Sequence, residues 1–399
     1  MTLTAAIKTD PLLFDKLLEP LRQPLAELAQ HPLSQAAGKL TVVVFVRLLL
    51  FRLFAQTRSA RDLLTDVQSS PTARALGFFK LGLSTFHDGF ARYPVAWFAR
   101  LVQHVQAAFP VAPLDELAAL GQIWCGDSSW WPVVRQLGWL AAQGLTAVLL
   151  HLGLSLNTLC AANFVLSYDA APGVSERRAL LSMAQAGVTY ILDRGYVSLP
   201  FYRELMERRC GFVIRERNNL KWRTLCALAI GTHPVLARLR HVRDQVVKLP
   251  RDPHGTVLRL VCFTCAGHQF RLITNRFDLA THDLVQLYAW RWQVELLFRA
   301  WKHTLGGLHL LNLSAAGIAI QFHVLLLAAL LWALTQQTAD HLSATKAQPS
   351  WSAKQTMTGS LSQLFQRAWR LRRQPLRLCA NCLAQPFSRY LKERLALAT

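Results

Sequence analysis

Apolar residues recur every three or four positions over residues 14–29, 38–54 and 60–67, a spacing that predicts helices. Ser59 stands where it can cap the third of these. Pro71 and Gly82 separate shorter segments, a helix opens at Leu83-Ser-Thr-Phe86, and Pro94 follows it. Residues 1–118 therefore read as all-helical. Short helices joined by tight turns fit either a helix-turn-helix-like DNA reader or an ordinary helical packing domain.

The pattern changes near Ile123. Strand-like runs at residues 123–127, 145–152, 162–167, 188–193 and 211–214 alternate with helical patterns at 176–186 and 199–208. This order predicts a mixed α/β sheet over residues 119–214. Residues 215–249 are basic and less regular. Runs at 257–265 and 268–274 predict a hairpin, so residues 215–280 read as a β-rich insertion. A long helix is expected from His282 to about residue 305 and another over 318–336, which assigns 281–340 to the α/β domain. Residues 341–399 form a helical, basic C-terminal region: from Trp351 on there are nine Lys or Arg and one acid, Glu393.

Charge sharpens this picture. The 399 residues carry 44 Lys+Arg and 23 Asp+Glu, a net charge of +21, while 52% are hydrophobic. A disordered polycation lacks such apolar content. The excess points to a polyanionic partner, nucleic acid or an anionic membrane. The two most apolar stretches argue against a membrane span. Residues 318–334 include Gln321 and His323, and residues 40–54 include Arg47 and Arg52. A span needs about 20 predominantly apolar residues, and a charge at the bilayer centre costs at least about 2.5 kcal/mol. No apolar signal core is visible near the N-terminus, so the expected location is the cytoplasm. Two CxxC pairs, Cys262/Cys265 and Cys379/Cys382, contain the residue type for a structural zinc, but they stand more than a hundred residues apart; buried hydrophobic cysteines are the alternative.

Two features carry candidate chemistry. Asp127 and Asp193 each end a strand-like run, a common site position in sheets covered by helices. The helix from Tyr288 to Lys302 places Tyr288, Arg291, Glu295 and Lys302 three, four and seven residues apart, on one face, among Trp, Val, Leu and Phe. An acid among cations on a largely apolar helix requires partners.

These residues carry a resemblance. Tyr-x2-Arg-x3-Glu-x6-Lys resembles the YREK signature of DDE transposases of bacterial insertion sequences, the IS-four group. Similar too are Asp127-Ser-Ser129, Leu192-Asp-Arg-Gly-Tyr196, Phe212-Val-Ile-Arg215, Leu272-Ile-Thr-Asn275 and Ser59-Ala-Arg-Asp-Leu-Leu64. The likeness spans residues 40 to 335. Ser128 stands where the family frequently has glycine. The resemblance implies an RNase H-like core in which Asp127, Asp193 and Glu295 hold two Mg²⁺ or Mn²⁺ ions. Hard cations suit carboxylates, and two metals serve phosphodiester chemistry. It implies that Tyr288, Arg291 and Lys302 hold phosphates of double-stranded DNA at the transposon ends and target. Arg194 either contacts DNA or pairs with a nearby acid. Trp290 and Trp292 either stack on bases or pack in the core. The implied activity is cut-and-paste transposition: nicking of terminal inverted repeats, then transfer of the 3′-hydroxyl to target DNA by a homodimer. The rivals are an inactive DNA-binding remnant or repressor, a nuclease of the same core, and a membrane-associated protein.

Overall fold

The computed structural model describes residue 8, residues 10–78, 80–108, 119–131, 148–157, 160–168, 174–217, 220–250, 252–265 and 267–291, positions 294, 298 and 301–302, and residues 309–344. The described residues fall into two compact units: those within Met1–Pro110 and Leu297–Arg372, and those within Val111–Leu296. Glu295, Trp292, Cys379, Cys382 and the chain beyond residue 344 lie outside the described residues.

The first unit is helical. Its N-terminal helices are α1 (Pro11–Leu17), α2 (Arg22–Ala29), α3 (Pro32–Gln35), α4 (Val42–Phe54), α5 (Ala60–Ser69), α6 (Pro71–Ala75), α7 (Leu83–Arg92) and α8 (Val95–Ala107). The local signals act as their chemistry dictates. The Ser59 hydroxyl accepts from the Asp62 amide at 3.1 Å and starts α5. Pro94, which cannot extend a preceding helix, caps α8. Helix α4 is buried on nearly every side, with Phe45 among the rings of Phe86, Phe90, Tyr93 and Phe98. Arg52 is buried with it, and its guanidinium donates to the His309 carbonyl. Burial lowers the Arg52 pKa to about 10.

The second unit is built on one nine-stranded sheet in the order β3-β2-β1-β4-β5-β9-β8-β7-β6. Its strands are β1 (Gln122–Trp131), β2 (Val148–Ser155), β3 (Cys160–Ser167), β4 (Val188–Leu192), β5 (Gly211–Arg215), β6 (Arg223–Ala227), β7 (Arg240–Lys248), β8 (Val257–Cys265) and β9 (His268–Thr274). β1, β2 and β3 form an antiparallel meander, while β4 lies parallel to β1 and β5 parallel to β4. Helices α9 (Val174–Met183) and α10 (Leu199–Glu207) supply the crossovers. They cover one face, where Trp124, Leu180, Tyr190, Leu192, Tyr202, Phe212 and Leu260 share a core. The segment expected as a β-rich insertion extends this same sheet, because β9 pairs antiparallel with β5. β6 and β7 replace the irregular stretch expected over 215–249.

Helix α11 (Thr281–Trp290) is interrupted at Arg291, within the helix expected to about residue 305, and of the positions described beyond it 294 and 298 are again helical. At its end the turn tightens: the Arg291 amide donates to the Tyr288 carbonyl and the Val294 amide to the Arg291 carbonyl, both at 3.2 Å. The last described helix, α12 (Ala315–Ala344), packs on α8, α4 and α7 of the first unit, whereas the sequence reading groups 281–340 with the α/β core. A helix apolar on all sides needs cover from several neighbours, which the N-terminal helices provide. Over Ala315–Trp332 α12 is long and apolar enough to cross a membrane, and 67% of that stretch is buried. The core helix of a bundle meets the same criteria.

Candidate functional site

β1 does not stop at Asp127. It continues to Trp131 because β2 pairs with it antiparallel as far as Trp131 opposite Val148. The pairing with parallel β4 ends sooner, at Cys125 opposite Ile191. Two residues further on, in the same register, come Asp127 and Asp193. One residue beyond Leu192 opposite Ile214 come Asp193 and Arg215. Three neighbouring parallel strands therefore present Asp127, Asp193 and Arg215 in one row, at a strand spacing of about 4.8 Å.

The alternation of side chains fixes the face. A Cβ on Gly126 would come within 2.6 Å of Leu180 and of Leu192, so that position faces the core under α9. Cys125 points the other way, its Sγ donating to the Trp290 carbonyl of α11 at 3.9 Å. Asp127, two residues on, shares the α11 face. There the Arg291 guanidinium lies 3.5 Å from Asp127 Oδ2, both groups largely withdrawn from water. Asp193 is extended, and its carboxylate accepts from the Gly195 amide at 2.8 Å, which starts the short helical turn Arg194–Tyr196. Arg177 donates to the Gly195 carbonyl at 3.3 Å and Arg217 to the Arg194 carbonyl at 3.4 Å, so two cations hold this turn.

Tyr196 reports the field at the site. Burial pushes its phenol well above the usual tyrosine range, and Asp127, Asp193 and Glu176 push it further, while Arg291 opposes them. Tyr288 on α11 is also buried. Burial raises its pKa; Arg291 and Arg215 pull it back, Arg215 also through a hydrogen bond. The Arg215 guanidinium stacks 4.6 Å over the Phe270 ring, which meets Tyr288 edge-on.

The structure thus brings together Asp127, Asp193, Tyr288 and Arg291. Arg194 is adjacent and exposed. Lys302 belongs to the first unit, half-buried, with its ammonium pKa lowered by burial. Trp290 is buried, which favours packing over base stacking. Arg215 and Tyr196 belong to the site although the sequence reading gives them no role. Their signal was present: Arg215 follows three strand residues, as Asp193 follows its own strand, and Tyr196 stands three residues beyond that acid. Asp127 and Asp193 supply hard oxygen donors that suit a divalent ion. Among the described residues no group of three His, Cys, Asp or Glu side chains is placed to hold a metal. Cys262 and Cys265 lie three apart on the regular strand β8 and so face opposite sides of the sheet, which rules out joint chelation there.

Comparisons with known proteins bear on the family of the chain. A curated relative, "Putative transposase y4zB" of Sinorhizobium fredii (strain NBRC 101917 / NGR234), is 27% identical over 124 residues, which are 29% of this chain and 33% of that protein. The chain thus spans about a third of that relative's length. A solved structure, the piggyBac transposase synaptic complex with hairpin DNA, is similar over 94% of this chain and 85% of its own, with a TM-score of 0.43 and 12% identity. The family model described as the transposase DDE domain matches residues 120–331. That match covers more than half of the sequence, and the chain belongs to the family of transposase DDE domains.

Proposed function

We propose that this protein is a cut-and-paste DNA transposase of the IS-four, YREK-bearing group, acting in the bacterial cytoplasm on double-stranded DNA as a homodimer. Its core is RNase H-like, a reading supported by the antiparallel meander β1–β3 continued by parallel β4 and β5. Residues 1–118 serve as the DNA-binding domain and 341–399 as a basic accessory region. The observation that carries the proposal is the side-by-side placement of Asp127 and Asp193 beneath α11.

In this reading Asp127, Asp193 and Glu295 hold two Mg²⁺ or Mn²⁺ ions. When bound, the ions supply an activated water or 3′-hydroxyl and stabilise the leaving oxygen. The chain's own residues do the rest. Arg291 and Arg215 neutralise the phosphate that approaches the acids, Arg in a bidentate fork. Tyr288, kept protonated by burial, donates to a phosphate oxygen of the transposon end. Lys302 and Arg194 hold flanking backbone. Arg177 and Arg217 keep the Asp193 turn in place.

The test is nicking of a plasmid that carries the DNA flanking the gene on both sides. Mg²⁺-dependent nicking by the wild type, reduced at least about a thousandfold in Asp193→Ala, is expected, since metal-assisted stabilisation contributes several kcal/mol. Equal nicking by both proteins would refute the assignment. Hydrolysis without joining of precut ends would favour the nuclease reading.

A further inference from the structure

Among the described residues, an ion pair outside the site is almost wholly buried. Asp244 on β7 and Arg259 on β8 are 1% and 4% exposed. They form a two-pronged contact, Nε to Oδ1 at 2.9 Å and Nη2 to Oδ2 at 2.6 Å. A buried pair of this kind is weak as a stabiliser, because desolvation offsets its attraction. Its remaining hydrogen bonds show what it does hold. Arg259 Nη1 donates to the carbonyls of Arg276 at 3.1 Å and Leu279 at 2.6 Å, both in the loop that leads from β9 into α11. The hydroxyl of Thr281, the first residue of α11, donates to Asp244 Oδ2 at 2.7 Å and is itself 3% exposed.

We infer that the Asp244–Arg259 pair, through Thr281, is a positioning device that docks the start of α11 on the outer half of the sheet and so sets where Tyr288 and Arg291 meet the Asp127–Asp193 row. The reasoning is geometric. Helix α11 is pinned at its far end by the Cys125 thiol on the Trp290 carbonyl and by Arg291 on Asp127. Both far-end contacts are made to β1. The near-end contacts are made to β7 and β8, on the other side of β4, β5 and β9. A rigid helix held at both ends has its turn-by-turn position fixed over β4 and β5, and its residues keep their height above the acids. Asp283 adds a local stop by accepting from the Ala280 amide at 3.1 Å, Arg276 in the preceding loop donates to Thr189 of β4, and the buried pair ties the first residue of the helix itself to β7 and β8. Arginine suits the role because its five donors leave a fork to spare after the carboxylate is engaged. Thr281 contributes one hydroxyl in a dry setting, where its loss leaves a carboxylate oxygen short of a partner.

The site being positioned rests on the transposase reading, so the test has two arms. The first is hydrogen–deuterium exchange on the whole chain. Thr281→Val keeps the shape and removes the donor; Thr281→Ser keeps the donor. Amides of residues 276–291 are expected to exchange about tenfold faster or more in Thr281→Val, with Thr281→Ser close to wild type and the β1–β4 amides unchanged. Uniform acceleration over the sheet, or none in 276–291, overturns the inference. Arg259→Lys, which retains charge and loses the fork, is expected to show the same local pattern. The second arm is metal-dependent nicking: Thr281→Val lowers the rate at saturating DNA, and Thr281→Ser restores it. A nicking rate equal to wild type in Thr281→Val overturns the link to the site. Should the wild type not nick, the transposase reading fails, and the exchange arm still decides the docking.

Discussion

At the scale of single residues, the acids were legible and their cationic neighbours only in part. Asp127 and Asp193 could be chosen because each follows an apolar strand run. Their alignment could not, since it depends on the register of β1 against β4, a long-range property. Arg215 was hidden for the same reason, as one basic residue in a chain with 44. The ion pair of Arg291 with Asp127 makes a separable prediction. A guanidinium and a metal compete for the same carboxylate. Arg291→Gln is expected to raise Mn²⁺ affinity measured by calorimetry while lowering nicking; weaker Mn²⁺ binding would refute the competition. A second prediction concerns His151 on β2, 1% exposed, with Nε2 2.7 Å from the Ser167 hydroxyl. Burial lowers its pKa to about 4, with Glu176 opposing. The unfolded chain takes up this proton near pH 6.5 and the folded chain only near 4, so stability is present above about 6.5 and lost as pH falls between these values. The upper bound is about 3 kcal/mol. Urea midpoints measured from pH 7 to 4 should fall, and His151→Gln should flatten the fall.

At the scale of elements, the helices and buried strands were read closely because periodicity and burial coincide there. The hairpin β8–β9 matches its expected limits, and Ser59 caps α5 as read. β6 and β7 escaped notice for physical reasons. Every residue of β6 is exposed, so no apolar alternation marks it. β7 has only two buried positions, one of them the acid Asp244 and the other Val247, and its pairing slips between Arg240 and Arg243. The helix expected from His282 to about residue 305 is interrupted at Arg291, where the backbone tightens although the apolar pattern runs on. Packing at this scale yields a sharp test. Gly126 sits where β1 touches α9, and any Cβ would lie 2.6 Å from both Leu180 and Leu192. Gly126→Ala forces the two leucine side chains, or α9 and β4 that carry them, to shift, which costs about 1–3 kcal/mol where the leucines cannot re-pack. Thermal unfolding should show the loss, and because Asp127 is the next residue, nicking should fall with it. An unchanged melting temperature would show that the two leucines can yield.

At the scale of the whole molecule, charge was the first clue, and part of it has a place on the sheet. Between Arg217 and Lys248 the sequence has seven Lys or Arg (217, 221, 223, 238, 240, 243, 248) and a single acid, Asp244. That acid is buried against Arg259 and contributes nothing outward. Arg223, Arg240 and Arg243 are exposed on the β6–β7 ribbon at the sheet's free edge. Duplex DNA carries a dense row of phosphates, and each one neutralised by a cation releases counterions. The logarithm of affinity then falls linearly with the logarithm of salt, with a slope of about −0.9 per phosphate contact. If these three arginines engage DNA, replacing all of them with glutamine removes about 2.7 from the slope. The loss should be the same for element ends and for unrelated duplex, because phosphate contacts carry no sequence information. Fluorescence anisotropy with both duplexes over a range of KCl concentrations measures this. A slope unchanged in the triple variant would assign the +21 to other surfaces of the chain, and a loss confined to the element ends would mean that the ribbon reads bases rather than backbone.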